Sequence, residues 1–153
     1  MDIKDKIKVT GKFEIFENGN KIKEFNNLIT NILLDEMIGI LAGYAPDIDI
    51  RYLAIGLDPI PAPAVGDTSL NDEEERYFYI DRSLTPPPVY GEIVTDFYIT
   101  SGEGNVVIEE LGIFGGSTSS LVAGSGNMIS HVLWNYTKTS AVELLIRYTV
   151  TLS

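Results

Sequence analysis

The sequence predicts a mainly β fold: a β-sandwich-like, two-sheet domain of about seven or eight strands with one α-helix, spanning residues 1–153 as a single domain. Three observations predict it. Period-two alternation of apolar and polar residues recurs along the chain, most cleanly over 142–152, and marks half-buried strands. Clusters of Gly, Asn, Ser and Pro separate these stretches and supply turns. Only one segment, near 29–42, places apolar residues at helical spacings.

Residues 6–16 alternate, with Ile7, Val9, Phe13 and Ile15 on one face and Lys8, Thr10, Lys12 and Glu14 on the other. Asn18-Gly19 follows, the dipeptide suited to a type I′ hairpin because both central residues need positive φ. Residues 21–25 then form the returning strand. The helix begins near Asn27 or Thr30 and runs to Ala42, with Ile29, Ile32, Leu33, Met37, Ile40 and Leu41 on its main apolar face and Gly43 as a left-handed C-terminal cap. Leu34 and Ile38 widen that face, so the helix is expected to be covered on more than one side, at the end of a sheet or by a neighbouring subunit.

Residues 52–57 read as a short buried strand, and 58–71 as a long loop holding Pro59, Pro61, Pro63 and Gly66. Loops of this length in small domains are often working surfaces. An acidic run over 72–75 precedes a strand at 77–81. Pro86, Pro87 and Pro88 make a stiff segment that cannot join a central ladder. Residues 90–100 and 106–115 read as strands joined in a hairpin through Ser101, Gly102, Glu103 and Gly104. The Gly/Ser stretch 115–126, with Leu121 and Val122 as its large apolar pair, reads as a flexible surface loop. Strands at 128–136 and 142–152 close the chain. In the last, Val142, Leu144, Ile146, Tyr148, Val150 and Leu152 share one face, which specifies its register.

Composition narrows the function. Hydrophobic content of 44% with 22% charged residues is that of a folded chain. The net charge of −11, from 22 acidic and 11 basic residues, opposes binding to polyanions, so nucleic acid and anionic membrane surfaces are not expected partners. Absence of cysteine removes disulfides, thiolate nucleophiles and thiolate metal ligands. Met1 to Lys8 lacks the apolar core of a signal peptide, and the apolar stretch over 28–41 is broken by Asn31, Asp35 and Glu36, so neither export nor membrane spanning is expected.

No catalytic constellation stands out. His131 is the only histidine and sits inside a strand, where a structural or solvent-facing role outweighs that of a general base, because nothing nearby marks a nucleophile or an orienting carboxylate. Asp72, Glu73, Glu74 and Glu75, with Asp47, Asp49, Asp58 and Asp67 in loops, do not follow calcium-loop spacing and read as a solvated acidic face. The Gly-rich stretches lack the lysine of a phosphate-binding loop. No cofactor or metal is expected. Tyr77, Tyr79, Trp134 and Tyr136 offer an alternative, a carbohydrate-binding β-sandwich for host-surface recognition, provided those rings are exposed and coplanar.

The order of short motifs adds a positive indication. Tyr52-Leu53-Ala54-Ile55-Gly56, then Pro63, Asp67-Thr68 and Leu70, then Glu74 or Glu75 with Arg76, resemble a pattern in structural proteins of tailed bacteriophages. Val107 to Phe114, carrying Glu110 and Gly112, looks like the next element of those proteins. It is followed, as there, by a Gly/Ser loop and a terminal alternating strand ending at Ser153. The helix start Asn27-Leu28-Ile29-Thr30-Asn31 also fits. Ile113, where leucine is common, and the acidic run inserted before Arg76 depart from the pattern.

The resemblance implies a non-enzymatic virion protein, made in the host cytoplasm, that joins other virion proteins and further copies of itself. Because no shaft repeats follow Ser153, a stand-alone capsid-decorating, collar, baseplate or tail component is expected, with a glycan as the alternative ligand. The expected assembly contacts are Ile32, Met37, Ile40 and Leu41 on the helix, Pro59, Pro61 and Pro63 in the long loop, and Leu121 and Val122 in the Gly/Ser loop.

Overall fold

Asn18 and Gly19 both take left-handed backbone conformations, with φ of 47° and 85°, and close a hairpin between β1 (Val9–Glu17) and β2 (Asn20–Ile29). The computed structural model describes residues 8–84 and 91–153. Ile3, Ile7, Pro86, Pro87, Pro88 and Tyr90 therefore lie outside the described residues. Phe13 and Ile15 of β1 point inward and are fully buried, while Lys21 binds Glu14 and Glu24 across the outer face.

The remaining strands are β3 (Tyr52–Gly56), β4 (Glu73–Leu84), β5 (Glu92–Ile99), β6 (Val107–Gly115), β7 (Asn127–Thr137) and β8 (Leu144–Leu152). One helix, α1 (Asn31–Leu41), lies between β2 and β3. Among the described residues the protein is thus mainly β with a single helix. Its strands close antiparallel into a barrel in the order β1-β2-β7-β6-β3-β4-β5-β8, with β8 returning to β1.

Two separate sandwiched sheets are not what the pairing shows, and two long strands are the reason. In β4, Glu73 to Phe78 pair with β3, whereas Tyr79 to Leu84 pair with β5, across a bulge near Tyr79. β2 divides likewise: Asn20 to Asn27 pair with β1, and Leu28 and Ile29 pair with β7. Strands that change partner along their length turn the corners of a closed sheet.

The expected hairpin across Ser101 to Gly104 is also absent. β5 is flanked by β4 and β8, and β6 by β3 and β7, so the connection crosses from one side of the barrel to the other. Buried Lys138 fastens it, donating to the Thr100 carbonyl at 2.8 Å and to Asn105 Oδ1 at 3.0 Å. Burial pushes the Lys138 pKa down.

The barrel interior is filled by Leu53, Ile55, Phe97, Ile99, Leu111, Ile113, Ile146 and Tyr148, among others. Each fully buried aliphatic or aromatic side chain contributes roughly 1.5–3 kcal/mol. β8 begins at Leu144 instead of Val142 and its alternation holds from there, with Leu144, Ile146, Tyr148 and Val150 inside and Leu152 exposed at the strand end. The Tyr148 hydroxyl lies within reach of the Asn27 amide, which also binds Ser130, and burial pushes the phenol pKa up to about 12.

Helix α1 follows Thr30, whose hydroxyl donates to the Met128 carbonyl on β7 instead of capping the helix. β2 runs four residues beyond the predicted Phe25, because Leu28 and Ile29 are drawn into pairing with β7. That delays the helix to Asn31. Gly43, with φ of 85°, ends it as expected. The expected cover on more than one side is not met within the described chain: no α1 residue is buried, and Leu34, Ile38, Ile40 and Leu41 face solvent.

Candidate functional site

Outward-facing residues of β3, β6 and β7 build a shelf on the barrel wall. On β3, Leu53 and Ile55 fill the interior, which leaves the small residues Ala54 and Gly56 on the other face. On β6, Glu110, Gly112 and Phe114 face outward beside Met128 and His131 of β7. The loop 57–72 lies on this shelf. A hydrogen bond from Leu57 N–H to the Asp72 carbonyl closes its base, and Leu70 joins Ala54, Phe114 and Met128 in a second, outer core.

Glu110 holds the loop. Its carboxylate is fully buried and accepts from the Asn71 N–H at 3.1 Å, the Asp72 N–H at 3.0 Å and His131 Nε2 at 2.7 Å. His131 Nδ1 lies 2.7 Å from Asp67 Oδ2, which also accepts the Ala64 N–H. A ring with a carboxylate oxygen at each nitrogen is best satisfied as an imidazolium. Burial alone would lower the His131 pKa, but Glu110 and Asp67 outweigh it and hold the value above the ordinary 6.5.

The two glycines provide the room. A Cβ on Gly56 would stand 2.3 Å from Glu110 Oε1, and one on Gly112 would stand 2.9 Å from Leu70. Gly56→Ala is expected to destabilise the fold by about 1–3 kcal/mol through overpacking. A urea midpoint unchanged from the wild type would show that Glu110 can move aside.

A second clasp holds the Gly/Ser loop, which is pinned instead of free. Arg76 is buried against Glu73, pairing through Nε and through Nη2 at 3.0 Å. Its Nη1 donates to the carbonyls of Ser120 at 3.2 Å and Ser125 at 2.7 Å, and the guanidinium lies 4.0 Å over the Phe114 ring. Glu73 also accepts the Gly124 N–H. At the start of the loop, Asp49 accepts the Gly116 N–H and Asp47 accepts from Ser117.

These contacts correct the expected acidic face for part of its residues. Glu73 sits in a buried ion pair, while Asp47, Asp49, Asp58 and Asp67 bind backbone amides of nearby loops. Glu75 accepts from Tyr77 and from the Gly104 N–H. Asp72 and Glu74 keep the solvent-exposed positions expected of the run.

No protein-family model, curated protein or solved structure matches the chain.

The third feature is an apolar cleft of 510 Å³ between α1 and the strand ends, lined by residues that include Val9, Leu34, Met37, Ile93, Val150 and Leu152. Ile40 and Leu41 also line it, and Leu41 is 79% exposed. Of the other expected contacts, Ile32, Pro59 and Pro63 are half-buried, while Pro61, Leu121 and Val122 are exposed. None of these six lines the cleft.

Hydrogen bonds nevertheless tie the segments together. Asn31 at the helix start donates to the Val65 carbonyl of the long loop, and Glu36 of α1 accepts the Asp47 N–H beside the Gly/Ser loop. Sequence reasoning missed Val9, Ile93, Val150 and Leu152 as cleft residues. The signal for them was the inward face of β1, β5 and β8 continuing to the strand ends.

The glycan alternative fares less well. Tyr77 and Trp134 are buried, Tyr79 and Tyr136 are half-buried, and Trp134 stacks on Tyr136 within the core at 4.5 Å. Those four rings form no exposed coplanar platform. Among the described residues no group of three His, Asp or Glu side chains is placed to hold a metal ion, and no helix is long and apolar enough to cross a membrane.

Proposed function

We propose that this protein is a non-enzymatic structural component of a tailed-phage particle, on the capsid or in the tail, collar or baseplate, that works by binding copies of itself and other virion proteins. The observation that carries this reading is the apolar helix α1, which packs Leu33 on the barrel but has no fully buried residue and leaves Leu34, Ile38, Ile40 and Leu41 exposed beside an apolar cleft. Contiguous apolar surface of this kind marks an interaction site on a soluble protein. The order of the Tyr52 to Gly56, Asp67 to Arg76 and Val107 to Phe114 motifs supplies the virion assignment. The non-enzymatic reading draws support from His131, the one histidine, which is buried with both nitrogens engaged by carboxylates.

Repeated copies in a particle form symmetric contacts, and such contacts rest on a few buried apolar anchors. Leu41→Asp and Met37→Asp are expected to reduce an assembled species to the 16.9 kDa monomer in light scattering, with the far-ultraviolet circular dichroism unchanged. An assembly mass indifferent to both substitutions would remove α1 from the interface. The virion assignment has its own test: mass spectrometry of purified particles should detect the chain at many copies, and its absence from them would overturn the reading.

A further inference from the structure

Glu110 and Asp67 both engage His131, but they differ in their alternatives. Glu110 is fully buried and keeps two backbone N–H donors whatever the ring does. The Asp67 side chain is 25% exposed and reaches water without moving far. Among the described residues these are the charged groups that face the ring. β6 offers Gly112 and β2 offers Leu28 at the paired positions, and Glu36 of α1 is turned to Asp47.

We propose that His131 is a proton-dependent latch for the loop 57–72: the doubly protonated ring holds Asp67 to the barrel wall, and the neutral ring keeps Glu110 and releases Asp67. With one proton left, the ring has one N–H and one lone pair. The proton stays on Nε2, because Glu110 has no water to replace it. The Nδ1 lone pair then faces a carboxylate oxygen, and the contact turns repulsive.

Release does not stop at Asp67. The same carboxylate accepts the Ala64 N–H, and the adjacent Val65 carbonyl accepts the Asn31 N–H at the start of α1. The latch therefore reaches the first turn of the helix that borders the apolar cleft. Because the two carboxylates hold the folded-state value above 6.5, the latch is fully closed below that value. It opens as pH rises through the higher, folded-state midpoint.

A single histidine makes the test unambiguous. Nuclear magnetic resonance of the His131 ring, with amide exchange of Ala64 and Asp67 corrected for its intrinsic pH dependence, should give one shared midpoint above 6.5. Protection at those amides should fall about tenfold for each unit by which that midpoint is raised. In Asp67→Asn the ring midpoint should drop and the loop step disappear. In His131→Gln loop protection should no longer follow pH. Loop protection that stays flat while the ring titrates, or a midpoint at or below 6.5, overturns the proposal. Asp67→Asn keeps it falsifiable if His131→Gln does not fold, since Asp67 lies in a surface loop.

Discussion

Glu110→Ala is expected to lower the unfolding free energy by about 3–5 kcal/mol, because it breaks a buried charge pair and leaves His131 with the partly exposed Asp67 as its one carboxylate partner. Three donors lose their acceptor at once: the N–H groups of Asn71 and Asp72 and the Nε2–H of His131. The His131 Nε2–H does not reach water easily, since Glu110 and His131 are both essentially inaccessible. The loss is large against a typical domain stability of roughly 5–15 kcal/mol.

Urea unfolding followed by circular dichroism would show a lower midpoint at unchanged slope if the loop stays folded onto the shelf. A reduced slope would show that loop 57–72 has already lifted. Glu110→Gln keeps one acceptor oxygen but turns an amide NH2 toward backbone donors, so an intermediate loss of about 1–3 kcal/mol is expected. A loss below about 1 kcal/mol in Glu110→Ala would mean that the loop is not fastened through this carboxylate.

How much of this could be read from the sequence depends on the range of the interaction. The β1–β2 hairpin was legible because Asn18-Gly19 carries its own conformational requirement. β8 was legible because its alternation assigns every side chain a face. Alternation says which face is buried but not which strand lies alongside. The corner-turning of β2 and β4 and the crossing from β5 to β6 were therefore hidden.

The clasp residues were hidden for the same reason. His131 is 21 residues from Glu110 and 64 from Asp67, with no local pattern linking them. Ala54, Gly56, Glu110 and Gly112 all lie in the motifs that carry the phage resemblance. Their roles become visible only when β3 and β6 are paired, with Gly56 opposite Glu110 and Ala54 opposite Gly112. Small residues on one strand make room for the carboxylate of the next.

Arg76→Met is expected to cost about 3–5 kcal/mol, again as a broken buried pair, but its effect should appear at the opposite loop. The substitution leaves the Glu73 carboxylate, 5% exposed, with the Gly124 N–H as its remaining partner, and removes the donor shared by the Ser120 and Ser125 carbonyls. It also removes the cation from the face of Phe114, a contact worth about 0.5–2 kcal/mol. Arg76→Lys should restore only part of the loss, because an ammonium cannot make the forked pairing with Glu73 while also reaching two carbonyls.

The double variant Arg76→Met with Glu73→Met separates charge from anchoring. Removing both charges relieves the uncompensated carboxylate, so its stability should recover toward wild type. The loop should not recover, because nothing then holds Ser120, Gly124 and Ser125 to β4. Amide exchange over 116–126 should accordingly be faster than wild type in both the single and the double variant. If the double variant regained loop protection as well as stability, the Gly/Ser loop would be held by its own internal hydrogen bonds, such as those of Ser125 to Ser120 and Val122, and Arg76 would be a core residue with no hold on the loop.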